Sequence, residues 1–426
     1  MKKKTCFSPA DILLPDFSVT DGTAWSCVAC DQYTSQPDYW EDADRQVGEA
    51  PSTLRLILPE AWLDEAEKRT PAIHRAMEDY ARRVLISHPD SMILLERTLG
   101  DGSVRRGLVG LIDLEDYDYR RGAGSLIRAT EQTVPERIPP RMAVRRDALL
   151  ELPHVMLLMD DRERTVIEPL LPGADALPVA YDYDLMGGGG HVKGYWLGEA
   201  DITRVQKALE CLITPEAMEA RYGKPGLAPL LFAVGDGNHS LAAAKACYEE
   251  VKASLGAAAA DHPARYALVE VVNLYDASLV FEPIYRVAFG VDPEDLVSAF
   301  STYARGLNGE AAPQTIHWQY GAGEDTRCGD VTVPHPVSGL AVGTVQDFLD
   351  GYMKTAPAGA CIDYIHGEDT VLSLSRRPGA VAFLYDGMAK EELFSTVLSD
   401  GALPRKTFSM GHAHDKRYYT EARKIR

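Results

Sequence analysis

The clearest pattern in the sequence is a short apolar run that leads through glycines into an amphipathic helix. Residues 230–234 are typical of a buried strand, and Gly235 and Gly237 permit a tight turn with unusual backbone angles. Apolar residues then recur at helical spacing along one face, at Leu241, Ala244, Tyr248, Val251 and Leu255. Gly256 stands where a glycine commonly ends a helix. The pattern predicts a strand, a glycine turn and a helix.

Apolar patterns elsewhere predict further strands and helices along the chain. Strands are predicted at 54–58, 91–99, 106–114, 154–159, 266–274, 277–281, 315–318, 371–374 and 381–385, and helices at 61–86 and 201–212. Pro71 is expected to divide the first helix, and Gly-Asp-Gly at 100–102 predicts a hairpin. These elements favour an α/β (α+β mixed) fold in which mixed sheets are flanked by helices. We expect three regions: an N-terminal α/β region (1–195), a central unit (196–305) and a C-terminal α/β region (306–426).

Composition and charge narrow the possible partners. The chain has 426 residues, with 44 Lys and Arg against 63 Asp and Glu, which gives a net charge of −19. Such an acidic chain repels phosphate backbones, which disfavours general nucleic-acid binding and a polybasic membrane anchor. The apolar runs are too short to span a bilayer. A cytoplasmic protein with a small-molecule substrate is expected, and the oligomeric state is not indicated. The Cys27–Cys30 pair lacks the second pair that a zinc ribbon needs.

The densest concentration of positive charge is one arginine-rich segment. Its members are Arg120, Arg121, Arg128, Arg137, Arg141, Arg145 and Arg146. The segment is either a solvated face or a site for a small anion, since guanidinium groups bind phosphate and carboxylate in a bidentate way. Glu131 lies within it and is either a general base kept ionised by a nearby arginine or a surface salt-bridge partner.

The glycine turn itself carries the most specific candidate chemistry. Free N–H groups at the start of the following helix, with the positive end of the helix dipole behind them, form a phosphate site. His239 could donate to a phosphate oxygen or shuttle a proton. Asp236 could hold Mg²⁺ or orient a hydroxyl. The alternative is that Asp236 or Asn238 only caps the helix and His239 is a surface residue. The pattern is not a P-loop, because no Gly-Lys-Ser/Thr closes the turn.

Two further candidates remain open between function and structure. Asp31 lies in a polar, turn-prone stretch and is either a base or Mg²⁺ ligand or a turn-capping residue. The run of four glycines at 187–190 is followed closely by Lys193. This segment is either a mobile or anion-binding loop or a plain connection.

Several motifs together resemble one known family. Gly235-Asp-Gly-Asn-His-Ser240 resembles the Asp-Gly-His-His-Arg signature of the domain-of-unknown-function-1015 family. Arg128-Ala-Thr-Glu-Gln-Thr133 is similar to its His-Glu-x-Thr segment, and Phe281-Glu-Pro-Ile-Tyr-Arg286 to its Pro-Ile-His-Arg segment. Leu403-Pro-Arg-Lys-Thr-Phe408 resembles its C-terminal Pro-x-Lys-Ser/Thr-x-Phe motif, which draws attention to Lys406. Trp25 to Ser35, followed by Tyr39-Trp40, resembles its N-terminal motif. The resemblance covers nearly the whole chain.

The turn also resembles the phosphate-binding turn of the ParB/sulfiredoxin group, which includes free-serine kinases. That resemblance implies a central ParB/sulfiredoxin-like unit and phosphoryl transfer to a small-metabolite hydroxyl, with free serine as the suggested acceptor. Asp236, Asn238, His239 and Ser240, with Gly235 and Gly237 of the turn, would hold the phosphates of a nucleotide or pyrophosphate donor, together with Mg²⁺. Ser240 stands where that group has Arg, so Lys193, Arg286 or the Arg128–Arg146 group would supply the missing charge, and Lys406 is a further phosphate-binding candidate. A phosphatase of the phosphoserine type and a non-catalytic nucleotide-binding regulator are the alternatives.

Overall fold

The structure, a computed structural model, describes residues 6–131, 133 and 135–426. The chain divides into two compact units, Met1–Leu279 with His412–Arg426, and Val280–Gly411. The last segment of the chain therefore belongs to the first unit. Strands from the predicted N-terminal and central regions share one sheet. The division into three regions stays a prediction.

Runs of strands and helices are interspersed along the described residues. In chain order the strands are β1 (Phe7–Ser8), β2 (Ala10–Pro15), β3 (Leu85–Ser91), β4 (Ile93–Thr98), β5 (Val104–Asp113), β6 (Tyr117–Asp118), β7 (Ile127–Ala129), β8 (Leu150–Glu151), β9 (Met156–Met159), β10 (Val179–Asp184), β11 (His191–Trp196), β12 (Phe232–Asp236), β13 (Tyr266–Asn273), β14 (Phe281–Phe289), β15 (Gln314–Tyr320), β16 (Arg327–Val333), β17 (Cys361–His366), β18 (Ala380–Leu384), β19 (Phe408–Met410) and β20 (Arg423–Lys424). The helices are α1 (Gly22–Trp25), α2 (Pro37–Val47), α3 (Ala66–Arg83), α4 (Ile138–Arg145), α5 (Glu199–Leu212), α6 (Pro215–Tyr222), α7 (Asn238–Leu255), α8 (Pro293–Gly306), α9 (Ala341–Tyr352), α10 (Glu368–Leu374) and α11 (Lys390–Asp400). Within the described residues, no helix has both the length and the apolar character needed to cross a membrane.

The first unit is built on a large mixed sheet. Its strand order is β10-β11-β4-β5-β13-β9-β12-β7-β6, and β1 pairs with β5. β12 runs antiparallel to β9 and parallel to β7. The hairpin predicted at 100–102 is confirmed, because β4 and β5 pair antiparallel around it. Helices flank this sheet, so the predicted mixed α/β architecture is confirmed.

Both faces of this sheet are buried, which explains its continuous apolar strands. Leu94 and Leu108 join the core cluster on one face. Ile93 and Val109, one position away on the same strands, join the cluster on the other face. Because successive side chains of a strand point to opposite faces, an apolar run without polar alternation indicates a sheet covered on both sides.

The second unit is an antiparallel sheet packed against helices. Its strand order is β16-β15-β18-β14-β17, and β19 pairs with the start of β14. Phe300 of α8 lies between Phe348 of α9 and Phe383 of β18, with ring-centroid distances of 5.0 and 5.2 Å. These aromatic contacts join two helices to the sheet.

Some predicted elements are wrong. Residues 371–374 lie in helix α10, where Glu368 and Asp369 occupy the first turn and favour the positive end of the helix dipole. Such a short apolar run does not distinguish a helix from a strand. Residues 54–58 are buried without forming a strand, because the Ser52 hydroxyl accepts from Leu54 N and starts a 3-10 turn. Pro71 lies inside α3 and does not divide it. Proline has no N–H to donate to the carbonyl one helical turn before it. Pro71 lies near the helix start and is exposed to solvent, so water can bind that carbonyl instead.

A buried ionic network fixes the C-terminal segment to the large sheet. Glu270 of β13 is fully buried, and its two carboxylate oxygens accept from Arg105 Nε at 3.3 Å and Arg417 Nε at 2.9 Å. Arg417 also donates to Glu421 at 2.8 Å. A β-carbon at Gly107 would lie 2.8 Å from the Glu270 carboxylate, so the neighbouring strand needs glycine at this position. The network stabilises the segment because every buried charge has an opposite partner.

We expect Glu270→Gln to lower the free energy of unfolding by about 3–5 kcal/mol, because it leaves two buried guanidinium groups without their shared anion. Urea unfolding followed by circular dichroism measures this. The control is Arg146→Gln, which breaks the exposed pair with Glu250. The control should change stability far less, and equal effects of the two substitutions would contradict the assignment.

Candidate functional site

The glycine turn lies between β12 and α7, as the sequence predicts. Gly237 has φ +80°, and a β-carbon there would lie 3.0 Å from Val155 Cγ2 and 3.1 Å from Val155 Cα. Both facts require glycine. Gly235 is different: it lies within β12, where the pairing with β9 shifts register between Val234 and Asp236. The bend at this register shift and the turn at Gly237 together end the strand.

The start of α7 provides backbone donors beside this turn. The first hydrogen bond of the helix runs from Leu241 N to Gly237 O at 3.0 Å. The helix itself therefore does not use the N–H groups of Asn238, His239 and Ser240. The positive end of the helix dipole lies behind them. This arrangement can bind an anion such as a phosphoryl group.

A polar cluster joins α7 to the N-terminal segment and the C-terminal segment. His154 is buried, and its Nε2 lies 3.3 Å from Ser240 Oγ and 3.7 Å from Asp31 Oδ2. Its Nδ1 lies 2.7 Å from the Tyr419 hydroxyl. The Tyr419 oxygen also accepts from Cys30 N at 3.3 Å. When the hydroxyl proton is donated to His154 Nδ1, the imidazole presents Nε2–H toward Ser240 and Asp31.

The surroundings of Asp31 keep its carboxylate ionised. Burial alone would raise the pKa of Asp31, but His154, a hydrogen bond from Gln32 and the charge of Lys416 together lower it below its usual value. Gln32 Nε2 donates to Asp31 Oδ1 at 3.0 Å. About a quarter of the Asp31 side chain is exposed. It can therefore accept a proton from a bound molecule at neutral pH.

Lys416 places a cation at the glycine turn. Its Nζ lies 3.6 Å from Asp236 Oδ2, while Asp236 Oδ1 accepts from Gly237 N at 3.1 Å. The sequence analysis missed Lys416, His154 and Tyr419. No motif marks them, and Lys416 and Tyr419 lie far along the chain from the turn. Lys416 and Tyr419 reach the site because the C-terminal segment returns to the first unit.

Asn238 contributes an acceptor rather than a donor to the site. The Thr130 hydroxyl donates to Val234 O at 2.7 Å, so its oxygen accepts from Asn238 Nδ2 at 3.4 Å. In the part of the chain that the structure describes, the buried Asn238 Oδ1 has no hydrogen-bond partner. An oxygen in this state suits a cation or a donor group better than a phosphate. The side-chain nitrogen of Asn238 is used by Thr130, so the predicted binding of phosphate by Asn238 would fall to its backbone N–H.

Two members of the arginine-rich segment act on the turn. Helix α4 packs against α7. Burial, then Arg141 and then Arg137, lower the pKa of His239 to about 4, and Asp31 opposes this. His239 is therefore neutral at pH 7 and can donate or accept one hydrogen bond without carrying charge. The positive charge at the site comes from the arginines and Lys416.

Two of the predicted phosphate-binding cations are placed elsewhere in the first unit. The buried Arg128 guanidinium donates to Ser125 O at 2.9 Å and to Ala228 O at 3.0 Å, at the end of the strands opposite the turn. Lys193 lies in β11, five strands from β12, or roughly 24 Å along the sheet. Its Nζ pairs with Asp182 at 3.2 Å. Both lie away from the turn, so neither is placed to supply the charge missing at Ser240.

Arg286 and Lys406 lie in the second unit, where they contact each other. The buried Arg286 guanidinium donates to Lys406 O at 2.9 Å and to Arg405 O at 2.6 Å. It also donates to Gln346 Oε1 at 3.0 Å and to the Tyr385 hydroxyl at 3.2 Å. These bonds stabilise the turn that carries Lys406, whose φ is +50°. Two motifs far apart in sequence thus form one structural unit.

Glu131 follows β7 by two residues. Since β7 and β12 are parallel, the residues after both strands share one edge of the sheet, and Glu131 lies at the edge that carries the turn. It has polar interactions of its own within the protein. Its role as a base stays a prediction.

The site has oxygen atoms that suit Mg²⁺. Magnesium prefers one or two protein oxygens together with substrate phosphates and water. Asp236 and the orphaned amide oxygen of Asn238 are such ligands, on either side of Gly237. Among the described residues, no group of three or more His, Cys, Asp or Glu side chains could hold a metal ion.

Comparison with known proteins gives the family of the chain. The sequence profile of a family described as "Protein of unknown function (DUF1015)" matches residues 15–369. The chain belongs to this family, as its motifs predict. No curated protein matches the sequence.

Solved structures share a distant likeness with the chain. A conserved hypothetical protein from Pyrococcus furiosus is 13% identical, with a TM-score of 0.32, over 71% of this chain and 90% of that one. A free serine kinase in complex with AMP is 13% identical, with a TM-score of 0.36, over 74% and 91%. A mutant free serine kinase in complex with ADP is 13% identical, with a TM-score of 0.37, over 76% and 93%. These scores are low and assign no activity to this chain.

We expect histidine-selective NMR to give a pKa near 4 for His239 in the ligand-free protein. Arg141→Gln should raise it part of the way toward the ordinary value of about 6.5, since burial remains. The folded state disfavours the imidazolium. The stability that the folded protein gains from a neutral His239 is therefore fully present above about pH 6.5 and is lost as the pH falls toward 4. A His239 that titrates near 6.5 in the unsubstituted protein would contradict this electrostatic picture.

Proposed function

We propose that the protein is a phosphotransferase that moves a phosphoryl group from a nucleotide or pyrophosphate donor to a small-metabolite hydroxyl. One observation carries the proposal: an ionised carboxylate, Asp31, lies close to His154 and Lys416, beside the start of helix α7. A base for a hydroxyl and a cradle for phosphate are the two parts that phosphoryl transfer requires, because its catalysis is mainly positioning and electrostatics.

The donor phosphates would bind at the start of α7. The N–H groups of Asn238, His239 and Ser240 can donate to phosphate oxygens. Lys416, Arg137 and Arg141 would supply the positive charge that Ser240 lacks. Asp236 balances Lys416 in the free protein and keeps its ammonium group at the turn. Recognition of phosphate here would not depend on Arg128 or Lys193, which other groups of the first unit hold.

The reaction moves one proton and one phosphoryl group. The acceptor hydroxyl gives its proton to Asp31 as its oxygen forms a bond to phosphorus. The bond from phosphorus to the bridging oxygen of the donor breaks, and its electron pair leaves with the shortened donor. His154, held by Tyr419, orients Asp31 and Ser240 around the acceptor. Glu131 is the alternative base at the same sheet edge.

Mg²⁺, when bound, would neutralise phosphate charge and polarise the transferred group. Asp236 Oδ2 and Asn238 Oδ1 are the oxygens that would hold it, and the donor phosphates and water would complete its shell. The orphaned state of Asn238 Oδ1 is the feature that favours this placement.

Free serine is the acceptor that the family resemblance suggests, and it is the first to test. The full chain is incubated with Mg²⁺, with ATP, ADP or pyrophosphate, and with serine, and phosphate and phosphoserine are measured. Phosphate without a phosphorylated acceptor would indicate a phosphatase. A donor that binds and stays intact with every hydroxyl compound offered would indicate a nucleotide-binding regulator.

We expect Asp31→Asn to slow phosphoryl transfer by on the order of 10²–10⁴-fold with little change in donor affinity, because the carboxamide keeps the shape but cannot take a proton. Asp38→Asn, an exposed substitution on α2, is the matched control and should leave the rate unchanged. Rapid-quench kinetics and calorimetric binding of ADP separate the two effects. If Asp31→Asn transfers at the normal rate, Asp31 is not the base.

We also expect Asp236→Ala and His239→Ala to reduce turnover by orders of magnitude while the melting temperature changes little. Simple caps would behave differently, since losing one costs about 0.5–2 kcal/mol of stability without touching transfer. Turnover and melting temperature are measured on the same preparations. Near-normal turnover in both variants would remove the turn from the mechanism.

A further inference from the structure

An apolar cavity lies directly behind the polar cluster of the site. It has a volume of about 160 Å³, is partly open to solvent, and is lined chiefly by α4, α7, residues 56–58 and residues 150–155. Ser240, His154 and Tyr419 line it, and these are the same side chains that contact or adjoin Asp31 in the site. The cavity and the site therefore share a wall.

The rest of the cavity wall is mainly aliphatic. Carbon atoms of aliphatic side chains form most of it, from Leu56, Leu58, Met77, Val144, Leu241 and Ala244. The ionic groups that reach it are already paired: Arg145 with Glu151, and Arg141 with Glu60. A free amino acid placed there would bury an ammonium and a carboxylate without partners, which is unfavourable. The wall suits an uncharged, apolar group.

The volume indicates the size of that group. A cavity of about 150 Å³ lined by aliphatic side chains holds one benzene molecule. The cavity here is of that size. It accommodates an apolar body of about six carbon atoms.

We propose that this cavity holds the apolar body of the phosphoryl acceptor, whose hydroxyl group lies at the end formed by Ser240 and His154. This rests on the proposed phosphotransfer. The ligand class is an alcohol with an uncharged apolar body of about six carbons, which is larger and less polar than serine. A hydroxyl at this end would meet His154 Nε2, which is 3.7 Å from the Asp31 carboxylate. Burial of the apolar body would hold that hydroxyl next to the base.

The test uses benzyl alcohol as the probe and the full chain, first without a donor. Binding is measured by ligand-observed NMR and calorimetry. Ala244→Met fills the cavity from α7, and Val144→Phe fills it from α4 in case the first variant folds poorly. Ala253→Met, on an exposed position of α7, is the matched control. ADP binding is measured in each variant as a separate readout of the turn.

We expect benzyl alcohol to bind the unsubstituted protein and the control, and to bind the filled variants about tenfold more weakly or worse. With Mg²⁺ and donor, benzyl alcohol should be phosphorylated with a higher kcat/KM than serine. No binding of benzyl alcohol, or equal binding by the filled variants, would overturn the proposal even if serine is phosphorylated, and the phosphotransferase proposal would then stand alone. Binding that the filled variants lose, without transfer from any donor to any alcohol, would support the cavity as a ligand site and refute phosphotransfer.

Discussion

The site depends on the buried ionic network that holds the C-terminal segment against the large sheet. Glu270 accepts from Arg105 and Arg417, and Arg417 also pairs with Glu421. Lys416 precedes Arg417 directly, and Tyr419 follows it by two residues. Lys416 faces Asp236, and Tyr419 bonds His154. Without the network, the glycine turn would lose its nearest lysine, and His154 would lose the hydroxyl that fixes its tautomer.

The charges at this site suit the steps of the proposed phosphoryl transfer. Asp31 stays ionised because His154 and Lys416 outweigh the effect of burial. His239 stays neutral because burial and two arginines oppose its protonation. Because the imidazole is neutral, the positive potential at the site comes from the arginines and Lys416, which keep their charge at any physiological pH. The base and the phosphate-binding groups can therefore act under the same conditions.

Local patterns predicted the centre of the site, and long-range contacts decided the rest. The apolar run, Gly237 and the stripe of α7 specify a strand, turn and helix through nearby residues alone, so this unit is confirmed. Asp31 lies in the site, but its neighbour His154 is more than a hundred positions away and stands in no recognised motif. Arg128 shows the opposite case: a motif position whose guanidinium stabilises strand ends. Sequence spacing carries no information about which arginine a fold uses for packing.

Helix and strand were hardest to tell apart in short apolar runs whose flanking residues show no clear periodicity of apolar positions. Residues 371–374 form part of a helix, since the acidic residues before them favour a helix start over a strand. The cavity behind Ser240 was also beyond sequence analysis. Its wall combines residues of three helices, α3, α4 and α7, with residues of strands and irregular segments, and most of these side chains resemble ordinary core residues. A void among core residues is a property of packing, which no single segment encodes.

The central claim is that phosphate binds at the start of α7, between Lys416 and the arginines of α4. A crystal structure of the full chain grown with ADP and Mg²⁺ tests it most directly. The account predicts the terminal phosphate within hydrogen-bond distance of the backbone N–H groups of Asn238, His239 and Ser240, with Lys416 Nζ on one of its oxygens. Phosphate bound elsewhere, with this turn unchanged and in contact with solvent alone, would contradict the account.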